Sequence, residues 1–322
     1  MLNIQKKKMW ILMILVVMGC ISYLCYDAYF HQWSLFQYVL SLRIPTLVVM
    51  LIAAFAIGSA SMIFQSIIQN RIVTPCLLGM NAMYTLIHTF VVFIFGTHSL
   101  IATNANLAFL IDILLMSVVG TIIYSYLFQK TGNNILYILL IGTVLSSLFG
   151  SMQSTMIRMM DPNEYDTLLT TLVADFQHVN IEIIIISIVL LAFIAFFLRK
   201  DLALLDVITL GKDQAINLGV NYDASIKRLL LGVVLCISIA TAMVGPISFL
   251  GLIVANIARQ LLKTYRHQYL ILASAMVGMI AMISGQMISQ HIFHYAVPVS
   301  TFITLIGGIY FLYLLLFQKG GA

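Results

Sequence analysis

The chain is 322 residues long, 62% hydrophobic and 8% charged, with a net charge of +5 and a mean hydropathy of +1.06. Soluble globular domains carry roughly 25% charged residues, so this composition excludes an ordinary soluble domain. It describes an all-α polytopic membrane protein, a single integral domain over residues 1–322 with no soluble appendage.

Apolar stretches long enough to cross a bilayer, about 20 residues each, recur from end to end. They predict ten transmembrane helices, at about 9–27, 44–66, 77–96, 107–128, 134–157, 180–198, 227–245, 247–263, 269–289 and 299–317. The first has a signal-like start: "KKKMWILMILVVMGC" combines basic residues, an apolar run and, in Val17-Met18-Gly19-Cys20, a lipoprotein-like cleavage site. A cleaved lipoprotein turns polar after its cysteine, whereas "ISYLCY" stays apolar, so an uncleaved first span is expected. Cys20, Cys25, Cys76 and Cys236 fall in or beside spans without metal-ligand spacing, and read as small apolar packing residues.

Span two carries Ser59, Ser61, Gln65, Ser66 and Gln69. A buried amide is costly in lipid unless it faces protein or water, so Gln65 is expected to point inward. Asp112 is the one acid well inside a predicted span. A paired structural or interfacial role is the simpler reading, and a proton relay the alternative. In span five Gly142, Ser146, Gly150 and Ser154 recur every four residues. Small residues at i, i+4 stack on one helix face and let helices approach closely, so this face either packs tightly or lines a hydroxyl-bearing path. Span ten adds Thr301, Thr304 and Gly307. His291 and His294, at i, i+3, would share a helix face. With no cysteine or carboxylate nearby they are expected to be interfacial, with no metal; no cofactor is implied.

Lys and Arg flanking the spans stay cytoplasmic. Ten spans with both termini inside place fourteen of the sixteen basic residues in the cytoplasm, from Lys6 to Lys319, and leave only Arg43 and Arg158 outside, with the acids Asp161, Glu164, Asp166 and Asp175. The same topology puts residues 199–228 inside. That stretch, "RKDLALLDVITLGKDQAINLGVNYDASIKR", concentrates nine of the chain's charged residues. After Arg199 and Lys200, "LALLDVITLG" and "KDQAINLGV" read as two short amphipathic helices, ended by Gly211 and Gly219. Asp223 is expected to cap the next helix, and Leu210, Ala215 and Leu218 to form an apolar patch. Such an island is either a solvated loop or a docking knob for a cytoplasmic partner.

"LGKDQAINLGV" resembles the LG-x-x-x-A-x-x-LGV signature of permeases in ABC importers for iron-siderophores, haem and cobalamin, the FecCD-like permease family. Three further blocks agree in family order. "LRIPTLVVMLIAAFAIGSASMIFQSIIQNRIVTPCLLG" is similar to the RxPR…G…Q…NPLAxPxxLG block, "GPISFLGLIVANIAR" to G-x-I-x-F-x-GLIVPHxxR, and "VPVSTFITLIGGIYFLYLL" to the E-x-PVG ending. There are departures. The second Arg of RxPR is Thr46, NPLA reads Asn70-Arg71-Ile72-Val73, and the Pro-His pair is Ala255-Asn256. Near the end Ala296, Ser300 and Ile309 stand where the family has Glu, Gly and Pro. They bear on binding-protein contacts and gating rather than on fold.

The resemblance implies a type II ABC importer permease in a bacterial plasma membrane, translocating an iron chelate, a siderophore or haem. Two permeases pair, as identical copies or paralogues. Each docks an ATPase subunit through the short helices between spans six and seven, here at Leu210, Gly211, Ala215, Leu218 and Gly219. The family places span five at the dimer interface, which makes Gly142, Ser146, Gly150 and Ser154, with Gln65 and Thr304, candidates for the path. An external substrate-binding lipoprotein presents carboxylates to permease arginines; Arg43 stands at the family's arginine position, and Arg158 joins it by topology alone. No GxxxxGK[ST] motif occurs, so the chain is not itself the enzyme, and no nucleic-acid partner is implied. The alternatives are a cobalamin permease, a divalent-metal ABC permease, which would have fewer spans, and an ion-coupled secondary transporter, which would need more intramembrane charge than Asp112.

Overall fold

With no water in the hydrocarbon core, an apolar chain must pair its backbone groups internally, and the helix does so within one segment. The computed structural model describes residues 2–26, 33–96, 99, 104–131, 135–177 and 180–317, and every regular element among them is helical. The α-helices are α1 (Leu2–Cys25), α2 (Trp33–Ile68), α3 (Met80–Phe95), α4 (Ala105–Thr131), α5 (Ile135–Met159), α6 (Pro162–Leu172), α7 (Ile181–Ile208), α8 (Lys212–Asn217), α9 (Tyr222–Val244), α10 (Leu250–Leu262), α11 (His267–His291) and α12 (Val299–Phe317); a 3-10 turn, Cys76–Leu78, precedes α3. Seven of them (α1, α2, α4, α5, α7, α9 and α11) are long and apolar enough to cross a membrane, and α3, α10 and α12 are shorter apolar helices. Lys319 lies outside the described residues.

These ten apolar helices follow the order of the ten predicted spans, with two corrections. Helix α2 begins at Trp33 rather than near residue 44, so Pro45 lies inside it, where its missing N–H leaves a gap in the helix ladder. Helix α7 runs on past residue 198 to Ile208. The short α6, capped by Asp161 accepting the Asn163 N–H at 3.0 Å, was not foreseen.

The centre of the molecule is α2, flanked by α11, α9 and α10. Its crossing with α11 is built from small residues. A Cβ on Gly58 would stand 2.9 Å from the Ser274 carbonyl oxygen, and Gly278 abuts Ala54. Ser274 Oγ then donates to the Gly58 carbonyl at 2.8 Å. Ala54 and Gly58 on one helix and Ser274 and Gly278 on the other repeat at i, i+4, the spacing that allows membrane helices to touch backbone to backbone. Helix α1 lies outside this core along α11. At one end Lys8 Nζ donates to the Leu261 carbonyl at 2.6 Å; at the other, Arg43 Nη1 donates to the carbonyls of Tyr23, Leu24 and Tyr26.

Candidate functional site

The 199–228 island folds differently from two short helices. "LALLDVI" contains no helix breaker, and Leu198, Asp201, Leu205 and Ile208 are buried at helical spacing. The first expected helix is therefore the last two turns of α7. Only α8 is separate. Gly211 (φ +108°) and Gly219 (φ +81°) occupy left-handed backbone at its two ends, where a side chain would be strained. The Gly219 N–H donates to the Ile216 carbonyl at 2.8 Å and the Val220 N–H to Ala215 at 3.0 Å, the paired bonds of a Schellman ending. Asn221, not Asp223, caps α9, accepting from the Ala224 N–H; Asp223 instead pairs with Lys212 at 3.1 Å on the surface.

The apolar patch also shifts. Ala215 is 0% exposed, while Leu210, Ile216 and Leu218 are 53%, 48% and 64% exposed. Ala215 is the root of a knob whose tip is Leu210, Ile216 and Leu218. Three attachments fix the knob's stem to the core. Arg228 on α9 grips the buried Asp201 with two hydrogen bonds, 2.9 and 2.8 Å. Asp206 accepts from both the backbone N–H of His267 (2.8 Å) and, at 2.6 Å, pairs with its Nδ1 at the start of α11. Gln69, just past α2, donates to the Thr209 carbonyl at 3.1 Å. The knob is thus tied to α9, α11 and α2 together.

Gln65 is buried, as expected of an intramembrane amide, but it serves a turn. Its Nε2 donates to the Arg71 carbonyl at 3.0 Å, and Asn256 Nδ2 donates to the same oxygen at 2.8 Å. Asn256, a departure from the family pattern, therefore helps hold the 70–73 turn. Gln65 sits among α2, α10 and this turn, not beside α5.

The small-residue face of α5 divides in two. A Cβ on Gly142 would meet Leu78 at 2.5 Å, and Ser146 Oγ, which donates to the Gly142 carbonyl, abuts Gly79. Gly142 and Ser146 are packing positions that seat the 3-10 turn. Gly150 has open space beyond it, and Ser154 is exposed. The polar stripe that reaches the surface runs one residue on: Thr143, Ser147, Ser151, Ser154 and Thr155, ending at Arg158. Of the Gly142 series, Ser154 shares this stripe, while Gly142 and Ser146 take the packing reading. Thr304 is exposed on α12, a helix that packs on α10 and α11, so within one chain it does not meet the α5 stripe.

Arg43 spends its guanidinium on the end of α1, with the Tyr23 ring 5.9 Å away. Arg158 is exposed and makes no ion pair among the described residues. Asp112 is buried against His88, Nδ1 to Oδ2 2.8 Å, and His88 Nε2 reaches Thr171 of α6 at 3.1 Å. The pair borders a cavity of about 430 Å³ whose walls are mainly apolar. The sequence does not point to His88, because a lone histidine in an apolar run carries no spacing signal. His291 ends α11 and packs edge-on against Tyr26, while His294 lies beyond the helix with φ +47°. The two imidazoles do not share a helix face.

A family model for the FecCD transport family matches residues 4–317. The chain is 38% identical over 287 residues to the petrobactin import system permease protein YclO of Bacillus subtilis, covering 89% of this chain and 91% of that one. It is 33% identical to the petrobactin import system permease protein FatC of Bacillus anthracis, covering 98% and 90%. Its fold superposes with a TM-score of 0.81, at 23% identity and over 96% of this chain and 99% of that one, on a solved structure described as an inward-facing conformation of a metal-chelate type ABC transporter.

Proposed function

Because the chain belongs to the FecCD transport family, we propose that it is the membrane-embedded permease subunit of an ABC importer carrying an iron chelate of the siderophore class into a bacterial cytoplasm. The petrobactin permeases at 38% and 33% identity support that substrate class. All ten apolar helices are spans, both termini are cytoplasmic, and the knob faces the cytoplasm, in keeping with the bias of basic residues. ATP hydrolysis belongs to a partner subunit, since this chain carries no phosphate-binding loop.

The observation that carries the reading is the knob. An exposed apolar tip on a six-residue helix, bounded by two left-handed glycines and fastened to three core helices, suits a groove in a cytoplasmic partner. ATP-driven movement of that partner would rock α2, α9 and α11 as one body. A second permease covers the hydroxyl stripe of α5, and the path runs between the two copies past Ser147, Ser151 and Ser154, with Gly150 leaving room and Thr304 entering from the other copy. A substrate-binding lipoprotein docks at the opposite end, where Arg158 offers an exposed guanidinium for a carboxylate. Arg43 supports that surface by holding α1.

Leu218→Glu, at the exposed tip, tests this without touching the core. In proteoliposomes with the ATPase subunits it should lower chelate uptake at least tenfold and reduce ATPase co-purification, with membrane insertion unchanged. Ala215→Arg, at the buried root, should do the same. Full uptake with Leu218→Glu would refute the coupling role.

A further inference from the structure

Beneath the knob lies a pocket of about 440 Å³, opening at the same end of the molecule and walled by the ends of α2, α7 and α10 and the start of α11. Two guanidinium groups converge there. Arg259 of α10 donates through Nη2 to Ser66 Oγ at 3.0 Å, while its Nε is buried and without a partner among the described residues. Arg71 lies on the same wall, close enough for its charge to act on Arg259. Neither arginine makes an ion pair among the described residues. Among the described residues the only carboxylate lining the pocket is Asp206, and its Oδ1 is taken up by His267.

Two like charges drawn together in a recess, one of them partly desolvated, are costly unless an anion joins them. Guanidinium forks match the edges of a phosphate group, each able to give two parallel hydrogen bonds. Thr264 lines the same recess with a further hydroxyl; it accepts from the Arg266 N–H at 3.3 Å and keeps its own hydrogen to donate. We infer that this pocket binds a phosphate-class oxyanion, bridged by Arg71 and Arg259, which locks the stem of the knob to the core. The anion is either free phosphate or the headgroup of an anionic lipid; the chemistry is the same. Because Gln69 and Thr209 connect the pocket to the stem, occupancy would stiffen the element that transmits force.

The site is testable by binding alone, so its failure is separate from any failure of the transport reading. The full chain in detergent would be titrated with inorganic phosphate against chloride at constant ionic strength, with thermal unfolding as readout. In parallel, nanodiscs of zwitterionic lipid would be compared with discs containing phosphatidylglycerol or phosphatidic acid. A saturable rise in Tm with free phosphate identifies the soluble ion. A rise only in anionic discs identifies the headgroup. In either case Arg71→Gln, at an exposed position, should weaken the apparent affinity at least tenfold, and Arg259→Gln likewise, whereas the exposed Lys227→Gln should leave it unchanged. No saturable response in any arm, or an equal response in all three variants, would overturn the proposal. So would stabilisation that needs the ATPase subunit and vanishes in Arg71→Gln, which would assign the pair to a protein carboxylate.

Discussion

Helices α2 and α5 are both long and apolar, yet they live in opposite surroundings. Over the membrane-length part of each, 83% of α2 residues but only 11% of α5 residues are buried. Both carry small residues at four-residue spacing, Ala54 and Gly58 on α2 and Gly142, Ser146, Gly150 and Ser154 on α5, and both carry hydroxyls. On α2 these groups are consumed: Gly58 accepts a neighbour's backbone, and Ser59 and Ser66 return their hydrogens to the helix's own carbonyls. On α5 the hydroxyls of Ser151 and Thr155 also return their hydrogens to the helix's own carbonyls, but only Gly142 and Ser146 are covered by another element, and the stripe Ser147, Ser151, Ser154, Thr155 and Arg158 is exposed. Small residues at helical spacing therefore have two meanings in a membrane. They mark a closed seam where another helix of the same chain lies on them, and an unfinished surface where none does.

Three substitutions would break or sharpen this contrast. Gly58→Leu in the closed seam should have the largest effect on stability, at the upper end of the roughly 1–3 kcal/mol typical of overpacking. Thermal unfolding in detergent would show a lowered Tm and aggregation, and a normal Tm would mean that the α2–α11 crossing is looser than it looks. Asp201→Ala should cost about 2 kcal/mol. Hydrogen bonds to charged groups contribute roughly 1.5–3 kcal/mol each, but Arg228 remains half-exposed and recovers water. Its distinctive outcome is ATP hydrolysis that continues while uptake falls, since the knob would be detached from α9; uptake and hydrolysis falling together would argue against that linkage. Ser151→Trp on the bare stripe should change stability by less than about 0.5 kcal/mol, yet abolish uptake in the assembled transporter. Retained uptake would make the stripe a lipid-facing surface.

The order of the ten apolar helices was legible because each is a long hydrophobic run, a signal that needs no partner. The separate short helix α8 was legible through Gly211 and Gly219, whose left-handed conformations only certain residues accept. What sequence alone could not show was long-range. Nothing near Arg43 says that its hydrogens go to the end of α1, and nothing near Gln65 names the Arg71 carbonyl. The sequence could not say which of the two readings of the Gly142 series holds at each position, because Gly142 reads the same whether it faces a path or the side chain of Leu78. The α7 extension was missed for a different reason. Gly211 reads as the end of a separate helix, while the buried spacing of Leu198, Leu205 and Ile208 simply continues the preceding one.

Both fastenings of α1 grip backbone carbonyls, Lys8 at Leu261 and Arg43 at residues 23–26. A carbonyl is the same on every residue, so these fastenings register height and azimuth rather than identity. The bare side of α1, with Trp10, Ile14, Val17 and Ile21 outward, can exchange one apolar side chain for another at little cost. Inserting a single residue between Lys8 and Tyr23 is another matter: it carries the helix end, whose last carbonyls have no intrahelical partner, about 1.5 Å further along and about 100° around, away from where Arg43 reaches. The helix works as a ruler, tolerant of what is written along it and intolerant of any change in its length.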